Sequence, residues 1–257
     1  PMVTASFLQE DTGGTTSDDQ TGFVGTLKDT LPVEGFEDVL FKIGTGSGYL
    51  NFNNQKKDLS NRWLNRHYND EFYKQSKIDG YRSRSSYKLI QINEKFNFLS
   101  SRFRILDLGC SPGGWLQVAR KYTKKETKIL GVDILDLKKI PNVSFLKNDI
   151  FEDETIIKIK EFFNKEKIDL MMSDMSPNSS GNKKLDHLRI INLVERVLEL
   201  ANSILSKNGI LISKIFQGGA QGNLIKEMKK NLHSINYFKP KASRKESREV
   251  YLIAKKK

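Results

Sequence analysis

The chain runs to 257 residues, 37% of them hydrophobic and 29% charged, with a formal net charge of +12 and one cysteine. That length accommodates one substantial domain and an appended segment. A lone Cys110 excludes an internal disulfide, and the lack of any run of about 18 apolar residues excludes a bilayer-spanning helix.

The N-terminus has no basic start leading into an apolar core and is too acidic for an organelle-targeting peptide, so a soluble, cytoplasmic protein is expected. Charge then divides the chain. Residues 1–50 carry two Lys/Arg against eight Asp/Glu, a net −6, which leaves +18 on residues 51–257. The first stretch is rich in Gly, Thr, Asp and Ser and short of core material, so it reads as a flexible extension of unknown role, with a strand or short helix at 36–41. The basic remainder fits either a polyanion binder, which would release counterions from phosphates, or solvated lysine-rich helices.

Residues 51–80 combine Lys56, Lys57, Arg62, Arg66, Lys74 and Lys77 with Trp63, Tyr68 and Tyr73. They read as an arm for nucleic acid, cations to phosphates and aromatic faces to unpaired bases. An amphipathic helix packing its aromatics on the domain is the competing reading.

Beyond Gly80 apolar strands alternate with helices. Strands are predicted at 103–108, 129–132, 143–146, 168–173, 209–216, 235–238 and 249–254, and helices at 86–98, 114–122, 154–164, 188–205 and 223–232. In the helix at 188–205, Leu188, Ile191, Val194, Leu198, Ala201 and Leu205 recur at helical spacing and predict one buried stripe. This alternation implies a mainly parallel α/β sheet of seven strands with helices on both faces. The last two strands have no helix between them and can pair antiparallel at one edge.

The sharpest motif is Asp107 to Trp115 (DLGCSPGGW), which follows a strand and opens a helix. Its glycines, Gly109 and Gly113 among them, let the backbone turn sharply and approach a ligand. Asp133 ends the next strand 24 residues after Gly109, where a carboxylate can accept hydrogen bonds from ribose hydroxyls. Neither the dinucleotide pattern Gly-x-Gly-x-x-Gly nor a phosphate-cradling Gly-x-x-x-x-Gly-Lys-Ser/Thr occurs. Asp107 would repel a pyrophosphate and suits a cationic ligand such as S-adenosylmethionine, and Asp149 closes a third strand.

Five blocks in register carry a family resemblance: Gly80 to Lys88 (GYRSRSSYK), Asp107 to Trp115, Ser173 to Asn178 (SDMSPN), Lys214 to Gly218 (KIFQG) and Ser247 to Tyr251 (SREVY). From Gly80 onward the chain resembles the FtsJ-type, or RrmJ/RlmE, ribosomal RNA 2'-O-methyltransferases. The resemblance implies a Rossmann-like class I methyltransferase domain over 81–257, with the antiparallel strand at the C-terminal edge. It also implies S-adenosylmethionine as cofactor, with Gly113, Trp115, Asp133, Asp149 and Asp174 as contacts. Lys88, Asp174, Lys214 and Glu249 match the family's Lys-Asp-Lys-Glu set, with Lys214 as general base or as the group that orients the 2'-hydroxyl.

The small swaps at Cys110, Ser111 and Ser176 leave the glycines and carboxylates intact, and Cys110 reads as a small buried residue. Scattered histidines predict no metal. Arg82, Arg84, Lys239, Lys241, Arg244, Lys245 and Arg248 flank the site and are expected to line a positive groove for RNA. The implied target is a uridine of large-subunit ribosomal RNA within its particle, methylated by a monomer; a 2'-hydroxyl excludes DNA, and no membrane is involved. The alternatives are a tRNA or mRNA-cap methyltransferase of the same fold and a non-catalytic ribosome assembly factor.

Overall fold

The structure is a computed structural model. It describes three short strands at 6–8, 23–26 and 40–43, and then residues 69–177, 181, 183–216 and 222–257. The chain divides into units at 1–69 and 70–257. In the first, β1 (Ser6–Leu8), β2 (Phe23–Thr26) and β3 (Leu40–Ile43) form an antiparallel sheet in the order β1-β2-β3. Most of the basic arm, including Trp63 and His67, lies outside the described residues.

The second unit opens with α1 (Glu71–Ile78), which the sequence reading left inside the arm. Asp70 caps it by accepting the Tyr73 amide at 3.1 Å, and Gly80, at φ +73°, turns the chain away after it. There follow α2 (Ser86–Phe96), β4 (Arg104–Leu108), α3 (Gly114–Tyr122), β5 (Lys128–Asp133) and β6 (Ser144–Lys147). Then come α4 (Asp153–Phe162), β7 (Ile168–Ser173), α5 (Lys183–Ile204), β8 (Leu205–Phe216), α6 (Gly222–Asn231), β9 (Leu232–Phe238) and β10 (Glu249–Lys256).

The seven strands lie in the order β6-β5-β4-β7-β8-β10-β9. β6 through β8 are parallel, and β10 runs antiparallel to both β8 and β9. The antiparallel pairing sits at the expected edge, with β10 one strand in and β9 outermost. Alternation along each buried strand feeds two cores. Ile105, Ile129, Leu170, Met172 and Ile212 pack with Leu89, Ile92, Leu116 and Val118 of α2 and α3. Leu106, Leu130, Met171 and Leu211 pack with Ile159, Val194, Leu198 and Ala201 of α4 and α5.

The α5 stripe holds only from Val194 onward. Leu188 is exposed and Leu205 belongs to β8. The helix begins at Lys183, earlier than its apolar period, and Leu185 and Leu188 in its first turns are exposed.

Strand order reverses between β4 and β7, since the chain runs outward from β4 through β5 and β6 and then resumes at β7 on the other side. A crevice opens at the carboxyl ends of the strands at such a point, and ligands of open α/β sheets bind there.

Candidate active site

The loop leaving β4 is shaped by its glycines. Gly109 sits at φ +69° and Gly113, which opens α3, at φ +107°. A Cβ at Gly109 would stand 2.0 Å from Met175 Cγ, so that position needs glycine for space as well as for conformation, while at Gly113 the positive φ is what demands it. Gly109 N donates to the Val132 carbonyl at 2.8 Å, and Ser111 N to Asp133 Oδ2 at 2.8 Å. The other Asp133 oxygen accepts Leu135 N at 2.9 Å, and Asp149 Oδ1 accepts Phe151 N at 3.0 Å. Each carboxylate is therefore oriented by a main-chain amide two residues on.

Ile134, Leu135 and Phe151 are exposed apolar side chains directly beside these carboxylates. The sequence reading assigned them no role; the signal was an apolar residue following each strand-end aspartate.

Asp107 is 1% exposed, and its Oδ2 has no hydrogen-bond partner. Burial, together with the nearby Asp174 and Asp133, pushes its carboxyl well above the usual carboxylate range. An orphaned, buried acidic oxygen beside two further carboxylates fits a ligand that brings positive charge. Cys110 is buried too, and that burial raises its thiol pKa, which keeps it protonated and unreactive.

The linkage gives a test. The unfolded chain ionises Asp107 from about pH 4 upward and the folded protein only at higher pH, so this group subtracts stability as pH rises past that value. Asp107→Asn is expected to raise Tm at pH 7, by roughly 2–4 °C per kcal/mol relieved, and to leave it unchanged near pH 3. Thermal unfolding at both pH values checks this, and an equal shift at both would contradict it.

The four residues of the predicted tetrad come from four elements and meet. Lys88 on α2 pairs with Glu249 at the head of β10 at 2.9 Å and stands 3.8 Å from Asp174. Lys214 on β8 reaches the Asp174 carboxylate at 3.2 Å and its carbonyl at 2.7 Å. All four side chains are less than one-fifth exposed. Burial alone would raise the Asp174 pKa, yet Lys214, Lys88 and the Tyr251 hydroxyl together hold it below the usual 3.8. Glu249 is likewise kept low against its own burial, chiefly by Lys88.

Tyr251 is the member the sequence reading quoted without a role. It lies directly across from Lys214 in the β8–β10 ladder and donates its hydroxyl to Asp174 Oδ1 at 2.5 Å. Its ring packs 5.7 Å from Trp115 and 5.7 Å from the Lys88 ammonium. Strand alternation was the available signal, because residues 249 and 251 share a face. Trp115 is itself buried and donates its indole N–H to the Ser85 carbonyl at 2.9 Å, stitching α3 to the entry of α2.

Three of the expected groove cations are otherwise engaged. Arg82 donates to the carbonyls of Pro112, Lys138 and Lys139, clamping the glycine loop to the segment after β5. Arg84 pairs with Asp70, and Lys239 donates to carbonyls of its own loop. Backbone oxygens claim all three, Arg84 also donating to the Ala242 carbonyl, because irregular loops have no ladder to satisfy them. Lys241, Lys245 and Arg248 remain exposed.

A mainly parallel sheet with a glycine loop and carboxylates at or just past successive strand ends defines a Rossmann-like α/β protein. Residues 81–257 match the family model of the FtsJ-like methyltransferases, and the chain belongs to that family. It is 41% identical over 200 residues to the ribosomal RNA large subunit methyltransferase E of Rickettsia bellii, covering 76% of this chain and 88% of that one. The protein of the same name from Wolbachia of Brugia malayi is 44% identical over 198 residues, covering 77% and 89%. A Plasmodium falciparum crystal structure described as a ribosomal RNA methyltransferase superposes with a TM-score of 0.61 at 35% identity, over 68% of this chain and 98% of that one.

Proposed function

We propose that this methyltransferase moves a methyl group from S-adenosylmethionine to the ribose 2'-hydroxyl of an RNA nucleotide, a uridine of large-subunit ribosomal RNA. The observation that carries the reading is the convergence of Lys88, Asp174, Lys214 and Glu249 in one ion-pair cluster whose four members come from distant segments. A buried cluster of charges is costly to assemble, and its retention beside a nucleoside-binding crevice has a natural explanation in chemistry.

When bound, S-adenosylmethionine would supply an electrophilic methyl on a sulfonium, open to in-line attack by an oxygen as the carbon–sulfur bond breaks and the neutral thioether leaves. Gly109 and Gly113 would give it close backbone approach, Asp133 and Asp149 would accept hydrogen bonds from its ribose hydroxyls, and the exposed Ile134 and Phe151 would offer apolar contact to its base. Asp107 and Asp174 meet its positive end, and Trp115 backs the site through Tyr251. Lys214, held by Asp174, would steer the ribose hydroxyl and take up its proton. Lys88 and Glu249 fix the other flank of the same carboxylate.

The RNA substrate is supported by the names of the relatives, by the +18 carried by residues 51–257, and by the exposed Lys241, Lys245 and Arg248 near Glu249 in sequence. Residues 51–80 supply further cations and aromatics for the same grip.

The test is incubation of the protein with radiolabelled S-adenosylmethionine and total ribosomal subunits, followed by mapping of the labelled nucleotide by primer extension at low dNTP. Label is expected on one ribose of the large-subunit RNA. Label confined to tRNA or capped mRNA, or on a base, would overturn this assignment.

A further inference from the structure

Arg84 lies just before α2, in the turn where Tyr87 N bonds the Arg84 carbonyl. Counting from it, Lys88 and Gln91 follow at i+4 and i+7, the spacing that aligns side chains along one side of a helix. All three grip a single distant segment. Arg84 Nη2 donates to the Ala242 carbonyl at 2.8 Å, Gln91 Oε1 accepts the Ala242 amide at 2.9 Å, and Lys88 pairs with Glu249 at 2.9 Å. Ala242 and Ser243 are buried although they belong to the irregular, lysine-rich connection between β9 and β10.

The other edge of the Arg84 guanidinium faces Asp70, Nε to Oδ2 at 2.9 Å, and both side chains are less than one-fifth exposed. Asp70 caps α1 with its remaining oxygen and is the first residue of this unit.

From this geometry we infer that Arg84 is a positioning residue for methyl transfer. Strung between Asp70 and the Ala242 carbonyl, it holds the 239–248 connection against α2 and thereby sets the Lys88–Glu249 pair. Its guanidinium is committed to two internal partners and is not a phosphate contact. The inference rests on reading the tetrad as the methyl-transfer site. It gives the basic 239–248 connection a mechanical link to the cluster, since that connection meets the strut at Ala242.

Lysine at this position keeps the charge but cannot serve both partners, because it lacks the planar fork of arginine. Asparagine at position 70 retains the helix cap while removing the ion pair. For Arg84→Lys and Asp70→Asn in the full chain, kcat on saturating RNA is expected to fall about tenfold to a hundredfold, the scale of an ångström-level misplacement. KM for RNA and the salt slope of RNA binding should stay at wild-type values.

Hydrogen exchange of peptides covering 239–248 is expected to accelerate about tenfold in both variants, the loss of one charge-assisted bond, while Tm stays well above the assay temperature. This exchange readout is independent of catalysis, so it tests the strut even if the natural substrate is not ribosomal RNA. A raised KM with a shallower salt slope in Arg84→Lys, tighter RNA binding in Asp70→Asn, or unchanged exchange across 239–248 would overturn the inference.

Discussion

Lys214→Ala is expected to lower methyl transfer to RNA by about 10²–10⁴-fold, the range ascribed to a positioned proton-transfer group, while leaving the protein folded and able to bind cofactor and RNA. The expectation follows from its position on β8, where its ammonium meets both the carboxylate and the carbonyl of Asp174. Removing it leaves Asp174 still paired with Lys88 and Tyr251, so the remaining cluster keeps countercharge and the fold is spared. Lys214→Arg is expected not to rescue the rate, because a guanidinium does not give up its proton and its planar fork does not reproduce an ammonium's point geometry. Single-turnover transfer with saturating RNA separates this from a binding defect, and equilibrium dialysis of labelled S-adenosylmethionine completes the comparison. Full activity in Lys214→Ala would remove the lysine from the mechanism and leave the cluster as a structural feature.

Much of the architecture was legible in the sequence, because it is written locally. The strand and helix periods after Gly80 lie within a few residues of the observed elements, and the glycine loop announces itself within nine residues. What failed was what depends on tertiary surroundings. A count of arginines cannot separate a surface cation from a clamp, so Arg82 and Arg84 read as groove lining when their guanidinium groups are bound to Pro112, Lys138, Lys139, Ala242 and Asp70. The period of α5 extended to Leu188 on paper, but hydrophobic spacing does not say where the underlying sheet begins. The tetrad was legible only through the family resemblance: its members are scattered from 88 to 249, and no local spacing predicts that α2, β7, β8 and β10 bring them together. Tyr251 escaped even so, since a tyrosine in an apolar strand reads as core until its hydroxyl is seen on Asp174.

Asp174 is expected to be the least replaceable residue of the site, because its carboxylate joins Lys88, Lys214 and Tyr251 in surroundings where none of them is more than partly solvated. Asp174→Asn preserves shape but leaves two buried ammonium groups sharing only Glu249 as countercharge. Breaking such a buried pair costs about 3–5 kcal/mol, which for a domain of this size corresponds to a fall in Tm on the order of 10 °C, with methyl transfer abolished.

The pH dependence distinguishes this from a simple packing defect. Both Asp174 and Glu249 have folded-state pKa values below those of the unfolded chain. Their stabilisation is therefore complete above about pH 5 and is lost as pH falls through and below the ordinary carboxylate range. The Tm difference between wild type and Asp174→Asn is accordingly expected to be largest at pH 7 and to narrow towards pH 3, as read by calorimetry. Asp107, whose pKa moves the other way, gives the opposite sign at neutral pH: its replacement stabilises where that of Asp174 destabilises. Two aspartates in one crevice, one drawn towards ionisation by lysines and the other pushed away from it by burial, are the pair of environments that a cationic ligand can bridge.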